Sequence, residues 1–411
     1  MKNSNVVNRF LEYVKIDTQS NEDTLETPTS DGQKELLKYL QEELNLLGVK
    51  NIDVDDKNCI LYAKIPSNTD KDNIKSLGFI AHLDTAPDAS GKDIKPQIIE
   101  NYNGEDIKLN KDIMLKVSEF PEILEYESKS LIVTDGTTLL GADDKAGIAE
   151  IMSMVEFIMR NPEISHGEIC LAFTPDEEIS RGTKDFDINR FGADVAYTVD
   201  GEKLGEISYE NFNAVKAKIE IKGRSVHTGY AKDKMINASC LAYEFNAQIP
   251  EKETPRNTEG YEGFYHLASI KSNVEKAELI YNLRDFEKEG IITRIQKLKD
   301  IAGNINEKYG EDIVTVELIE QYENMKDYLK GNMELISNAQ NAGKRVDVEP
   351  FIKPIRGGTD GARLTVRGLP CPNLGAGGRN FHGVYEFICI QDMEKITEIL
   401  IQLVKINENN N

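Results

Sequence analysis

The chain has 411 residues, enough for a large core and two domains, and 49 basic against 71 acidic residues give it a net charge of −22. That balance argues against nucleic-acid binding, which needs a basic footprint, and against docking on an anionic membrane; the surface acids read as a solubility device. No apolar run reaches the ~18 residues of a membrane span, and five cysteines without a CxxC spacing fit a reducing compartment, so a cytoplasmic protein is expected.

In chain order, the N-terminus reads as an amphipathic helix (Val6, Phe10, Leu11, Val14) and not as a secretory signal. Residues 34–47 carry Leu36, Leu37, Leu40, Leu44 and Leu47 at helical spacing, and SLGFIAH (76–82) reads as a buried strand. A helix is expected over 145–160, with Ile148, Ile151, Met152, Val155 and Met159 on one stripe. EICLAFT (168–174) and DVAYTV (194–199) read as further buried strands. Strands alternating with helices indicate an α/β fold with a mixed, largely parallel sheet sandwiched by helices.

The pattern then changes. AVKAKIEIKG (214–223) alternates like a half-buried strand, and a helical stretch follows at 235–249. Alternating runs lie around 264–272 and 277–284, then a charged helix at 286–308 and IVTVELIEQ at 313–321. The order β-α-β-β-α-β is the ferredoxin-like α+β pattern. The expected organisation is a first domain split over 1–212 and 325–411, with a smaller domain inserted at 213–324.

Chemistry-bearing residues gather at strand ends and in Gly-rich turns. His82 closes a strand and Asp84 follows at the spacing that points the same way, where a carboxylate can orient an imidazole. LLGADDKAGIAEI (139–151) sets Asp143 and Asp144 between a Gly turn and a helix. One of them can cap that helix, which leaves the other in need of a different role. AFTPDEE (172–178) supplies Glu177 and Glu178, one suited to bind metal and the other to take a proton from water. Asp200 stands at another strand end, and His382 lies in GGRNFHG (377–383). Plain structural roles compete at each position: an Asx-turn for Asp200, a solvated turn for the glutamates, a satisfied loop histidine for His382. The location of His82, Glu178 and Asp200 at or just beyond the C-terminal ends of strands, where an open α/β sheet forms its ligand crevice, favours a joint site. A bridging aspartate with one His and one acid per metal gives each of two divalent ions three protein ligands and leaves positions open, as catalytic zinc requires. There is no GxSxG elbow, HExxH or P-loop.

The stretches IAHLDT (80–85), LLGADDKAGIAEI, AFTPDEE, YTVDG (197–201), EGYEGFYHLASIKS (259–272), RGGTDG (356–361) and PCPNL (370–374) resemble the peptidase T family. These tripeptide aminopeptidases belong to a larger group of zinc-dependent exopeptidases, and the resemblance covers essentially the whole chain. It implies two Zn2+ per subunit; the mixed N/O donors would also suit Co2+ or Mn2+ as substitutes. His82, Asp143 and Asp200 would hold one ion, and Asp143, Glu178 and His382 the other. Glu177 would be the general base and Asp84 the acid behind His82. The resemblance also implies that the inserted domain is a lid through which the chain dimerises. By analogy with the wider family, His227 in KGRSVHTG (222–229) is the candidate oxyanion donor, although a threonine follows it where a proline often stands. Arg284 and Arg356 are candidates for a substrate carboxylate, and Asn211 and Asn213 for substrate contacts near the hinge. The expected partners are tripeptides and a second copy of the chain. Dipeptidase, carboxypeptidase and N-acyl amino acid deacylase activities use the same kind of site and stay open at this point, as does metal-dependent binding without turnover.

Overall fold

The computed structural model describes residues 5–409, which form two compact units. The first runs to residue 209 and adds Tyr328–Lys353 and the chain from Thr359 onward; the second is Glu210–Asp327 with Pro354–Gly358. The second unit thus extends slightly beyond the expected 213–324 at both ends. It also takes in the return segment Pro354–Gly358, which the sequence reading assigned to the other domain. Among the described residues no helix is long and apolar enough to cross a membrane.

The first unit is built on an eight-stranded sheet. Its order is Asn51–Asp55, Ile60–Ile65, Ile169–Thr174, Leu77–His82, Val195–Gly201, Asn373–Gly375, Glu206–Ser208 and Phe351–Ile352. The strands from Ile169–Thr174 to Asn373–Gly375 run parallel, and antiparallel pairings lie outside them. Central parallel strands are covered on both faces and so read as unbroken apolar runs. LGFIAH and ICLAFT are buried at every position. The helix Ala142–Arg160 packs on Leu77–His82 and Val195–Gly201, and also meets the helices Asn5–Tyr13 and Ile390–Asn409. A cluster of Ile80, Cys170, Ala172 and Ala196 takes in Phe191 and Leu364 from the short helices Ile188–Phe191 and Asp360–Val366.

A smaller antiparallel sheet in the same unit pairs Gly378–Arg379, Phe387–Cys389, Leu131–Val133 and Gln97–Ile99 in that order. Gly378 pairs with Ile388 and Arg379 with Phe387, so residues 380–386 are held as the loop of a hairpin.

The second unit has a four-stranded antiparallel sheet in the order Phe264–Ser272, Lys276–Asp285, Asn213–Lys222 and Val314–Tyr322. The helices Ala238–Asn246 and Lys288–Tyr309 complete the ferredoxin-like succession. The alternation read in AVKAKIEIK is observed: Ala217, Ile219 and Ile221 are fully buried and join Leu241, Phe245, Leu298 and Ile301 in one core.

The close approach of helix to sheet beneath the strand ends depends on Gly147. A Cβ there would stand 2.0 Å from the carbonyl oxygen of Val199 and 2.4 Å from Asp144 Oδ1. Gly147→Ala is therefore expected to destabilise the protein by about 1–3 kcal/mol through overpacking, read as a lower denaturant midpoint at unchanged slope. An unaltered midpoint would contradict this packing.

Candidate metal centre

His82 ends its strand in register with Thr174, and Ile80 is in register with Thr198. The three adjacent parallel strands therefore deliver His82, the turn carrying Glu177 and Glu178, and Asp200 to the same edge of the sheet. The turn after Thr174 is fixed by Asp176, which sits at φ +51° with its carboxylate accepting from the Thr29 amide and from Gln33 Nε2.

Asp143 and Asp144 open the helix Ala142–Arg160 with non-helical dihedrals, joined by a cis peptide bond. Their roles divide cleanly. Asp144 is fully buried; one carboxylate oxygen accepts from the Gly147 amide at 3.2 Å, as a helix cap does, and the other from the His82 amide at 3.2 Å. Asp143 faces outward, with Oδ1 at 2.8 Å from His82 Nε2 and Oδ2 at 3.2 Å from His382 Nε2. Asp200 Oδ1 lies 3.3 Å from His82 Nε2, and Glu178 Oε2 lies 3.1 Å from His382 Nε2. His82, Asp143 and Asp200 thus form one set of donors, and Asp143, Glu178 and His382 a second, each set lying within 4.8 Å. His382 holds its place in the hairpin loop at φ +64°, an uncommon conformation for a non-glycine residue.

Behind His82, Asp84 does two things. Its backbone carbonyl is 3.0 Å and its Oδ1 3.3 Å from His82 Nδ1; both are acceptors, so Nδ1 carries the proton and Nε2 is turned to the site. Its carboxylate also accepts the backbone N–H of Glu177 at 2.9 Å and of Glu178 at 3.2 Å. The fully buried Asp84 therefore orients an imidazole and fixes both glutamates.

The electrostatics follow from crowding acids with few cations. Burial, then Asp143, pushes Glu178 up to about 8. Burial also pushes Asp200 up to about 7 against the pull of His82. Glu177 is raised well above the carboxylate range by burial, Asp360 and Asp200. Hydrogen bonds to Asp143 and Glu178 raise His382 to about 11. Burial opposes the charge on His82, but Asp200, Asp143 and Asp84 outweigh it and raise the ring well above the usual imidazole range. Asp143 alone is lowered: its burial is overcome by the two imidazoles.

The donor set fits a pair of divalent cations. Glu178 Oε1 is buried without a hydrogen-bond partner, an arrangement that is costly unless a cation meets it. Mixed imidazole and carboxylate donors suit zinc and its neighbours. Sequence reasoning did not single out Asp360 and Arg363, which flank Glu177. Arg363 Nη1 is 3.9 Å from both Glu177 Oε1 and Asp360 Oδ1, and Thr174 donates to Asp360 at 2.9 Å. Asp360 lies inside RGGTDG and Arg363 follows three residues on in the same helix, a spacing that was a signal for that pairing. Asp88, 3.6 Å from His382 Nδ1, gave none.

The other candidates lie in the second unit. His227 is exposed, and its Nδ1 accepts from the Gly229 amide at 3.2 Å. Arg284 stacks over Tyr322 and donates to the Leu283 carbonyl. Two candidates for substrate contact are bonded to the protein's own backbone. The guanidinium of Arg356 donates to the carbonyls of Gly260, Glu262 and Thr258 and to Thr258 Oγ1, over the rings of Phe212 and Phe264, as a loop brace does. Asn211 is the second. Fully buried, it donates to the carbonyls of Phe212 and Glu323 and accepts from the Met325 amide. Asn213 likewise bonds to the backbone of Asp285, Phe286 and Asn324.

Residues 209–313 match the family described as the peptidase dimerisation domain. The chain is 52% identical over 398 residues to a peptidase T of Clostridium perfringens (strain SM101), covering 97% of this chain and 98% of the relative. It is 50% identical over 406 residues to a peptidase T of Clostridium botulinum (strain Loch Maree), covering 98% and 99%. Among solved structures, an aminopeptidase PepT from Bacillus cereus shares the fold with a TM-score of 0.78 at 24% identity over 98% of each chain. A dinuclear metal-binding peptidase of the M20 family from Bacillus subtilis shares it with a TM-score of 0.66 at 12% identity over 99% of each.

Metal ligands must shed their protons to bind. With Glu178, Asp200 and both histidines raised, metal uptake at neutral pH should release protons, and affinity should climb as pH rises. Calorimetric zinc titration of chelator-treated protein in two buffers of different ionisation enthalpy measures that release. Identical heats in both buffers would contradict it.

Proposed function

The chain belongs to the peptidase T family and is a metallopeptidase acting as a tripeptide aminopeptidase, and from that premise we propose how its residues cut a peptide. The reading rests above all on one observation: two three-residue donor sets share Asp143. We assign His82, Asp143 and Asp200 to one Zn2+, and Asp143, Glu178 and His382 to the other. Co2+ and Mn2+ suit the same donors. When bound, such a pair lowers the pKa of a water towards neutrality and polarises the scissile carbonyl.

The protein's own residues do the rest. Glu177 stands apart from both donor sets and accepts the proton of the attacking water on its carboxylate. Burial beside Asp360 and Asp200 strengthens its hold on that proton until it is handed to the departing amine. Asp84 keeps the proton of His82 on Nδ1 and holds Glu177 in position through its backbone amide. His227 is assigned the role of oxyanion donor, which the chain's likeness to its family supports, and Arg284 that of partner to the substrate carboxylate, which the match of a guanidinium fork to a carboxylate supports. The substrate is a tripeptide with a free amino terminus. The match to a peptidase dimerisation domain supports a homodimer formed through the second unit. Five free cysteines support a cytoplasmic location.

Glu177→Ala should keep both metals, by elemental analysis, while turnover of tri-alanine falls by about 10²–10⁴-fold; metal loss would make Glu177 a ligand. His382→Ala should hold fewer than two ions per chain, and full occupancy would count against the second set. His227→Ala should slow turnover by about 100-fold, and an unchanged rate would remove it from the mechanism. Di-alanine and N-acetyl amino acids should be poor substrates for the parent enzyme; if they are cut faster than tri-alanine, the substrate assignment fails.

A further inference from the structure

Glu386 belongs to neither donor set and to none of the stretches that carry the family resemblance, yet it is one of the most completely enclosed acids in the chain, 1% exposed. Its Oε2 accepts the backbone N–H of Leu140 at 2.6 Å and of Gly141 at 2.9 Å. Its Oε1 accepts those of Ala142 at 2.7 Å and Asp143 at 3.3 Å. Four consecutive amides thus converge on one carboxylate, and the last belongs to the residue whose side chain faces both histidines. The turn can gather its amides in this way because Gly141 adopts φ +78°.

An ordinary helix cap satisfies one or two amides from a residue adjacent in sequence. Glu386 is more than two hundred residues away, and its own backbone is part of the hairpin that carries His382. Its amide donates to the Gly383 carbonyl at 3.2 Å, and Phe387 pairs with Val133 in the smaller sheet. The base of that hairpin presses on the start of the helix: a Cβ at Gly378 would lie 3.0 Å from that of Ala142. A single side chain therefore joins the turn bearing the shared aspartate to the loop bearing the second histidine. The field of the buried Lys145 reaches the same carboxylate.

We propose that Glu386 is a positioning residue that sets the distance between these two segments, so that Asp143 can serve both metals. The proposal rests on the metal-pair reading above. Ligand-orienting groups of this kind typically alter metal affinity by about 10–100-fold when changed.

Calorimetric titration of Zn2+ into chelator-treated full-length protein tests it, with parent, E386Q and E386D side by side and the zinc-free unfolding midpoint measured for each. Gln preserves size but removes the charge and sets an NH2 group against amide donors; Asp keeps the charge one methylene short. The parent should take two Zn2+ per chain. E386Q should bind the more weakly held ion about 10–100-fold less tightly, and E386D should fall between them. The zinc-free midpoint of E386Q should fall too, because an NH2 group then faces buried amide donors; the loss that tests the proposal is the one in zinc affinity. Parent-like affinity in E386Q overturns the proposal, whether or not its zinc-free midpoint drops; with a drop, Glu386 is a structural cap alone. If E386Q does not fold, E386D decides: weakened binding supports the role and parental affinity overturns it. A parent that takes up fewer than two ions defeats the metal-pair reading itself, which separates that failure from this one.

Discussion

The site is organised around one carboxylate that faces two imidazoles. Asp143 is the acid in the cluster whose protonation is pushed downward, because His82 and His382 approach its two oxygens from opposite segments of the chain. Around it, Asp200, Glu178 and Glu177 are crowded into a poorly solvated edge of the sheet, where like charges resist ionisation. Such an arrangement is unfavourable as a purely structural network. Two divalent cations, as proposed above, would convert it into a balanced one and make the acids tolerable where they are.

The scaffold answers that constraint with rigid supports. Parallel strands buried on both faces bring His82, Asp200 and the Glu177–Glu178 turn to one edge without relying on flexible loops. Asp84 couples the first histidine to the pair of glutamates through the backbone. Asp144, next to the shared aspartate, spends its carboxylate on the helix start and on the His82 amide. The same structure leaves Glu177 outside both donor sets, and in the proposed mechanism that spare carboxylate would be the base that distinguishes a hydrolytic centre from a storage site.

Much of this was readable in the sequence because burial on both faces leaves a strong signature. The runs ending at His82 and Thr174 are apolar throughout, and the alternation from Ala214 to Lys222 marks a sheet with one face covered. The strands Gln97–Ile99, Leu131–Val133 and Asn373–Gly375 are too short to show any periodicity. The choice between Asp143 and Asp144 was not readable from residue types, since both are acids at a helix start; it depends on backbone dihedrals that only the folded turn reveals. Arg356 and Asn211 were ambiguous for a related reason. A guanidinium fork or an amide serves a substrate and a loop carbonyl equally well, and the carbonyls that claim them come from segments distant in sequence. Glu386 was silent because its partners are backbone amides, which carry no residue-type signal at all.

The most direct test is a crystal structure of the zinc-loaded protein with anomalous scattering recorded on either side of the zinc absorption edge. The account predicts two anomalous peaks astride Asp143, one beside His82 and Asp200 and the other beside Glu178 and His382. A single peak, or two peaks that do not share Asp143, would contradict it.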